Sequence, residues 1–153
     1  MVTARVLIVG CLFFGLCYQV LVPLILLSDR GWNLTIDQIA IPYSVAAVIA
    51  IALLQVGLLR IWKLLKIAAV GEIFTTQAVA VWRQATRWFT AAGVVGVLIF
   101  GHWIFIIGVI DGVGIAFFPV SIGLVLGSLS VSHIGASLLE AAIAQKNELA
   151  EVI

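Results

Sequence analysis

Charged side chains are scarce in this chain of 153 residues, where Asp, Glu, Lys and Arg together make up 10% of the composition. The net charge of +1 excludes a nucleic-acid-binding protein that relies on a strongly basic face, because neutralising phosphates requires clustered Lys and Arg in excess. Only two cysteines are present, Cys11 and Cys17, six positions apart in one apolar run. That spacing places them on different faces of a helix, so a disulfide or redox pair is not expected.

Sequence motifs for enzymatic chemistry are also missing. The chain has no HExxH, no nucleophile elbow, and no pair of carboxylates on one helix face. Its glycine-rich strings lack the strand-to-helix context that a phosphate-binding loop requires. The sequence therefore predicts a protein that is not an enzyme, with no catalytic residues, no cofactor site and no metal site.

Apolar residues dominate what is present. The chain is 64% hydrophobic and has a mean hydropathy of +1.29, which is more apolar surface than a water-soluble fold of this length can bury. Four uncharged segments are long enough to cross the bilayer core, which takes about 20 helical residues. We predict an all-α polytopic membrane protein, a single domain over residues 1–153. Its spans are expected at about residues 6–27, 39–59, 88–110 and 113–139.

The distribution of Lys and Arg predicts the orientation of these spans. With a cytoplasmic amino terminus, the outside carries only Arg30, and the positive-inside rule is satisfied. Both termini, a hairpin over 60–88 and a tail over 140–153 would then face the cytoplasm of a bacterial cell, with helices 2 to 4 extended beyond the membrane. A tight outer turn is expected at "DGVG", residues 111–114. The remaining cations all lie on the inner side: Arg5, Arg60, Lys63, Lys66, Arg83, Arg87 and Lys146.

The predicted cytoplasmic hairpin and tail carry most of the polar residues. Arg60, Lys63 and Lys66 extend the second helix towards lipid headgroups. Gly71 permits a turn, and Thr75 or Thr76 can cap the next helix.

Two surfaces are candidates for binding a protein partner. Trp82 and Phe89 belong to an apolar stripe after the turn, and Leu149 belongs to a heptad-like seam in the tail, formed by Leu139, Ala142 or Ile143, Lys146, Leu149 and Ile153. A second copy of the chain is an alternative partner for the seam, and a solvated helical tail is equally compatible with so short a pattern.

The spans contain few polar side chains. From a rise of about 1.5 Å per residue, His102 lies about 4 Å outward of the midplane and His133 about 10 Å inward, so they cannot share a metal ion. Gln19 lies near the depth of His102, and Gln55 near that of His133. We expect each histidine to form an interhelical hydrogen bond with the glutamine at its depth, with a ligand or proton site as the less favoured alternative.

Small residues indicate close helix packing. Gly123 and Gly127 form a GxxxG pair, with Ser130 one turn further along. Glycines also recur along the third span, at positions 93, 96, 101 and 108. The pattern favours close approach of the third and fourth helices, and homodimerisation through the same notch is the alternative.

Several short motifs resemble a known family. They are "QVLVPL", "IPY", "QVGLLRIWKLL", "GEIF" and the terminal "ELAEVI". Together they resemble an uncharacterised family of small four-helix bacterial membrane proteins of unknown function, and the motifs are most similar to those of actinobacterial members. Members are often encoded beside a small Cro-type helix-turn-helix regulator, so the resemblance implies a possible cytoplasmic regulatory partner.

Two functional hypotheses follow. The first is a non-enzymatic scaffold or regulatory component of the plasma membrane that binds a protein partner through its cytoplasmic hairpin and tail, without binding nucleic acid directly. The second is a small oligomeric bundle that binds or conducts a small molecule, with an interior marked by Gln19, His102, Gln55 and His133. We favour the first because the spans lack charge.

Overall fold

Four long helices make up the fold. The computed structural model describes residues 2–28, 34–108 and 112–151, which form α1 (Val2–Ser28), α2 (Leu34–Ala69), α3 (Thr76–Phe105) and α4 (Gly112–Glu151), with no strand among them. All four helices are long and apolar enough to cross a membrane. This confirms the predicted fold class, an all-helical membrane protein with four candidate spans. The predicted outer residue Arg30, Asp111 in the outer turn and Ile153 at the end of the tail lie outside the described residues.

The helices form a single row rather than a closed bundle. Within the described residues, each helix packs only against its neighbours in the chain: α1 on α2, α2 on α3, and α3 on α4. Few side chains are therefore buried, and most large apolar residues of α1 and α4 face outwards. In lipid this arrangement is stable, because hydrocarbon tails solvate outward-facing Leu, Ile and Val as well as a protein core does.

The connection between α2 and α3 is a tight turn with a defined helix cap. Gly71 has φ +79°, a left-handed conformation that glycine adopts without strain. Thr75 is the N-cap of α3: its Oγ1 accepts a hydrogen bond from the Ala78 amide at 3.3 Å and donates one to the Glu72 carbonyl at 2.9 Å. The expectations of a turn at Gly71 and a cap at Thr75 are confirmed. Ile67, Ala78 and Val81 form a small buried cluster behind the turn.

Small and hydroxyl side chains hold α3 against α4. Thr86 Oγ1 donates to Ser132 Oγ at 2.8 Å, and the hydroxyls of Thr90 and Ser128 lie 2.7 Å apart. These two pairs define an antiparallel register. Moving four residues forward along α3, from Thr86 to Thr90, corresponds to moving four residues back along α4, from Ser132 to Ser128. Interhelical hydrogen bonds between polar side chains contribute about 0.6 kcal/mol each on average in a membrane protein.

Along this part of the interface, the glycines that allow close approach belong to α3 rather than to the GxxxG pair of α4. A Cβ built on Gly93 would lie 2.7 Å from Val125 Cγ2, and one built on Gly96 would lie 2.5 Å from Ser121 Oγ. By contrast, a Cβ on Gly123 or Gly127 would have no atom within 4 Å. The predicted close contact between the third and fourth helices is confirmed, but the prediction that the GxxxG pair supplies it is wrong. The pair faces away from α3, because the hydroxyls of Ser128 and Ser132 lie on the α3 side of α4.

Candidate functional site

A tyrosine and a histidine meet where α2 begins and α3 ends. Tyr43 Oη lies 2.6 Å from His102 Nδ1, a short interhelical hydrogen bond. The Tyr43 ring also packs against Trp103, with ring centroids 5.4 Å apart. When the hydroxyl donates to Nδ1, a neutral imidazole carries its own proton on Nε2 and can donate to a ligand. His102 is exposed, so its ring is accessible from outside the row.

This pair lines a groove of about 740 Å³ between α2 and α3. Apart from the two polar side chains, the groove is formed by apolar residues, among them Pro42, Val97 and Phe105. Small-molecule sites in proteins combine a mainly apolar lining with a few placed polar groups. The groove therefore has the chemical character to hold an apolar molecule that carries one hydrogen-bonding group.

The four candidate polar residues are not brought together in the predicted pairs. Gln19 Nε2 donates to the Val48 carbonyl at 3.4 Å, and Gln55 Nε2 donates to the Leu12 carbonyl at 3.5 Å, both between α1 and α2. Gln19 and His102 do not meet, because α1 makes no contact with α3 in the part of the chain that the structure describes.

The same geometry separates the second predicted pair. Gln55 belongs to α2 and His133 to α4, two helices that make no contact within the described residues. His133 is exposed and has no hydrogen-bond partner there. Matched depth predicted that each polar group would find a neighbour, but the order of helices in the row decides which neighbour is available.

Tyr43 is the site residue that sequence reasoning missed. Its depth matches that of His102, since the two lie at facing positions of an antiparallel helix pair. In the sequence, Gln19 was the polar residue predicted to pair with His102. The signal that could have identified Tyr43 from the sequence is its phenol group, which lies on the adjacent span at the same depth as His102.

Removing the Tyr43 hydroxyl tests the pair. We expect Tyr43→Phe to lower the free energy of unfolding in detergent by about 1 kcal/mol, the typical strength of an interhelical hydrogen bond in a membrane protein. The matched control is Tyr18→Phe, because Tyr18 is 58% exposed on α1 and forms no hydrogen bond among the described residues. Equal effects of the two variants in a denaturant titration would contradict the Tyr43–His102 contact.

The candidate partner residues separate into packed and exposed positions. The Trp82 indole lies against Gly135 of α4, where a built Cβ would be 2.5 Å from Trp82 Nε1. The Phe89 ring lies against Gly57 of α2 in the same way, at 2.9 Å. Leu149, however, is 68% exposed near the end of α4. Of the three, Leu149 is exposed, whereas Trp82 and Phe89 are half-buried.

Cations gather at the end of the row that holds the α2–α3 turn, which we call the cationic end. Lys63 and Lys66 are exposed on α2, whereas Arg60 is half-buried. Arg60 and Arg87 line a cavity of about 430 Å³ between α2 and α3. Beside it, a second cavity of about 450 Å³ contains the ion pair of Arg83 with Glu140, 2.7 Å apart.

Clusters of metal-ligand type are not found in the part of the chain that the structure describes. No three His, Cys, Asp or Glu side chains come together among those residues. Cys11 and Cys17 are both free, and Cys11 is exposed.

Comparison with protein families matches residues 31–153 to the family described as "Protein of unknown function (DUF2975)". Comparison with curated proteins and with solved structures gives no match. The matched region includes α2, α3 and α4 entirely.

Proposed function

We propose that this chain, which belongs to the DUF2975 family of proteins of unknown function, is a non-enzymatic membrane scaffold or regulatory component that binds a protein partner through its cationic end. In this proposal the cationic end faces the cytoplasm, as the positive-inside rule favours. The observation that carries the proposal is a helical segment at the end of α4 that has no partner in the row.

The length of this free segment follows from the register of α3 and α4. Since Thr86 faces Ser132 and Thr90 faces Ser128, Thr76 at the start of α3 is level with Ala142 of α4. The helix then continues to Glu151, about nine residues or roughly 13 Å past the start of α3. The burial pattern agrees with this register: Ala142 and Ile143 are half-buried, whereas residues 144–149 are all exposed.

The seam predicted in the tail therefore consists of a half-buried part and an exposed part. Its first part, Leu139, Ala142 and Ile143, is half-buried, and Ile143 shares a cavity with Thr76 and Val79 of α3. Its second part, Lys146 and Leu149, has no neighbour in the row. A helix that packs with the first turn of this seam and presents the same face further along is arranged to extend that packing onto another helix.

Apolar side chains are also exposed at the α2–α3 turn, at the same end of the row. Val70 and Phe74 are 71% and 45% exposed between α2 and α3. Exposed apolar groups beyond the hydrocarbon region, rimmed by cations, are typical of protein interaction surfaces. We therefore expect the partner to offer an amphipathic helix that packs against Leu149 and reaches towards the turn.

Photocrosslinking tests this proposal directly. A photoreactive residue at position 149 is expected to crosslink one protein in native membranes, and the same residue at position 147 is not, because 147 lies on the opposite side of α4. Leu149→Glu should abolish copurification of that protein, whereas Asn147→Glu, which adds the same charge, should preserve it. Copurification unaffected by Leu149→Glu, or equal crosslinking from 147 and 149, would refute the proposal.

A second candidate function is supported by the groove at Tyr43 and His102. In this alternative, the chain binds a small apolar molecule, alone or as a small oligomer. Native mass spectrometry of the protein extracted from membranes should then detect a bound molecule that is lost in His102→Leu and retained in His133→Leu. His133 is exposed on α4 and serves as the matched control. Retention of the molecule in both variants would remove this candidate.

A further inference from the structure

We propose that Arg60 of α2 and Arg87 of α3 form a binding site for a phosphate group at the cationic end. The site is the cavity of about 430 Å³ between the two helices, and Gln84, Trp88 and Ala91 complete its lining. The proposal does not depend on a protein partner, because it uses a different surface from that of Leu149.

The charges of this cavity are not balanced by the protein. The half-buried Arg60 and the exposed Arg87 line it, and its other lining residues are neutral. Among the described residues, the single ion pair joins Arg83 to Glu140, so neither Arg60 nor Arg87 has an acidic partner. Two like charges at one cavity repel each other, and the half-burial of Arg60 reduces the screening by water. An anion between the two arginines would convert this repulsion into attraction.

The chemistry of the lining favours phosphate over other anions. Guanidinium groups present forked donors that match two oxygens of a phosphate at once, and two arginines can neutralise a mono- or dianion. Gln84 and Trp88 line the same cavity, and their side chains carry further N–H donors. The volume is within the range of small-molecule sites in proteins.

The neighbouring cavity provides a contrast within the same fold. Gln84 and Arg87 line both cavities, but the second contains the carboxylate of Glu140 bound to Arg83. Its positive charge is partly neutralised, so we place the phosphate on the Arg60 side. The cavity lies between two helices, so this proposal differs from the general attraction of exposed Lys63 and Lys66 to anionic lipid.

Two sources could supply the phosphate: the headgroup of an anionic lipid or a soluble phosphate. Trp88 favours the lipid, since tryptophan side chains prefer the height of lipid headgroups. The experiment titrates the full-length protein in neutral detergent with short-chain phosphatidylglycerol, and separately with inorganic phosphate. Phosphatidylcholine, whose net charge is zero, is the control ligand.

Arg60→Gln and Arg87→Gln are each expected to weaken phosphatidylglycerol binding about tenfold or more, as the loss of a charged hydrogen bond implies. Lys63→Gln removes the same charge one turn away and should change the affinity less than twofold. Arg60→Lys and Arg87→Lys preserve charge and packing if a glutamine variant fails to fold, and they should still weaken binding because the fork is lost. The same dependence for inorganic phosphate would support the site with a soluble ligand. Equal effects of Arg60→Gln and Lys63→Gln, or no binding of either probe, would overturn it.

Discussion

Gly93→Leu is expected to separate α3 from α4 and to lower the free energy of unfolding by about 3 kcal/mol, the upper part of the range for overpacked helix contacts. A Cβ at this position would lie 2.7 Å from Val125 Cγ2, 3.1 Å from the Val125 amide nitrogen and 3.2 Å from the Ser121 carbonyl oxygen. Two of these three atoms belong to the backbone of α4, so no side-chain rotation can relieve the clash. The hydroxyl pair of Thr90 with Ser128, one turn away, would be stretched as the helices part.

The matched control for Gly93→Leu is Gly127→Leu. The same side chain is introduced, but a Cβ at Gly127 has no atom within 4 Å, so folding of the single chain should be unaffected. Denaturant titration in detergent measures both variants. If Gly127→Leu destabilised the monomer as much as Gly93→Leu, the assignment of the α3–α4 contact to the α3 glycines would be wrong. The control also tests the proposed homo-oligomer, because a dimer formed through the GxxxG notch would dissociate in Gly127→Leu.

The second large effect is expected at Gly135, where a single methyl group should destabilise the chain. In Gly135→Ala the new Cβ would lie 2.5 to 2.6 Å from three atoms of the Trp82 indole. The ring is rigid and lies between two helices, so it has to move as a unit. We expect a loss of about 2 kcal/mol in the free energy of unfolding. Gly123→Ala, on the open side of α4, is the control and should have no effect on the single chain.

A double mutant separates this contact from a general effect of alanine. Trp82→Leu removes the ring, so Gly135→Ala should cost little in that background, and the two changes should be non-additive by more than about 1 kcal/mol. Additive effects would contradict the packing of the indole on Gly135. Trp82→Leu should also affect stability rather than partner binding, the reverse of what we expect for Leu149→Glu.

Sequence reasoning predicted the elements of the fold well because the bilayer imposes their length and polarity. The length and apolar character of the helices and the cap at Thr75 are local properties, and each is confirmed. The order in which helices contact one another is not local. Spans that are apolar on all sides carry no stripe that identifies the inner face, so the row could not be distinguished from a closed bundle.

The candidate sites show the same limit. The pairing of Gln19 with His102 required α1 to reach α3, and only the structure shows that α2 lies next to both. Trp82 and Phe89 fall on a helical stripe that is compatible with packing or with partner binding. Their partners, Gly135 and Gly57, are distant in sequence, so the stripe alone could not assign them. Leu149 differs because α4, which carries it, extends beyond the start of α3.

The central claim is that four spans place the α2–α3 turn and the end of α4 together in the cytoplasm, and cysteine labelling tests it most directly. In a background with Cys11→Ala and Cys17→Ala, the variants Glu72→Cys, Asn147→Cys and Ser28→Cys are treated with a membrane-impermeant maleimide. The account predicts labelling of Ser28→Cys on intact spheroplasts, and labelling of Glu72→Cys and Asn147→Cys only after the membrane is opened. Labelling of Asn147→Cys on intact spheroplasts would contradict it.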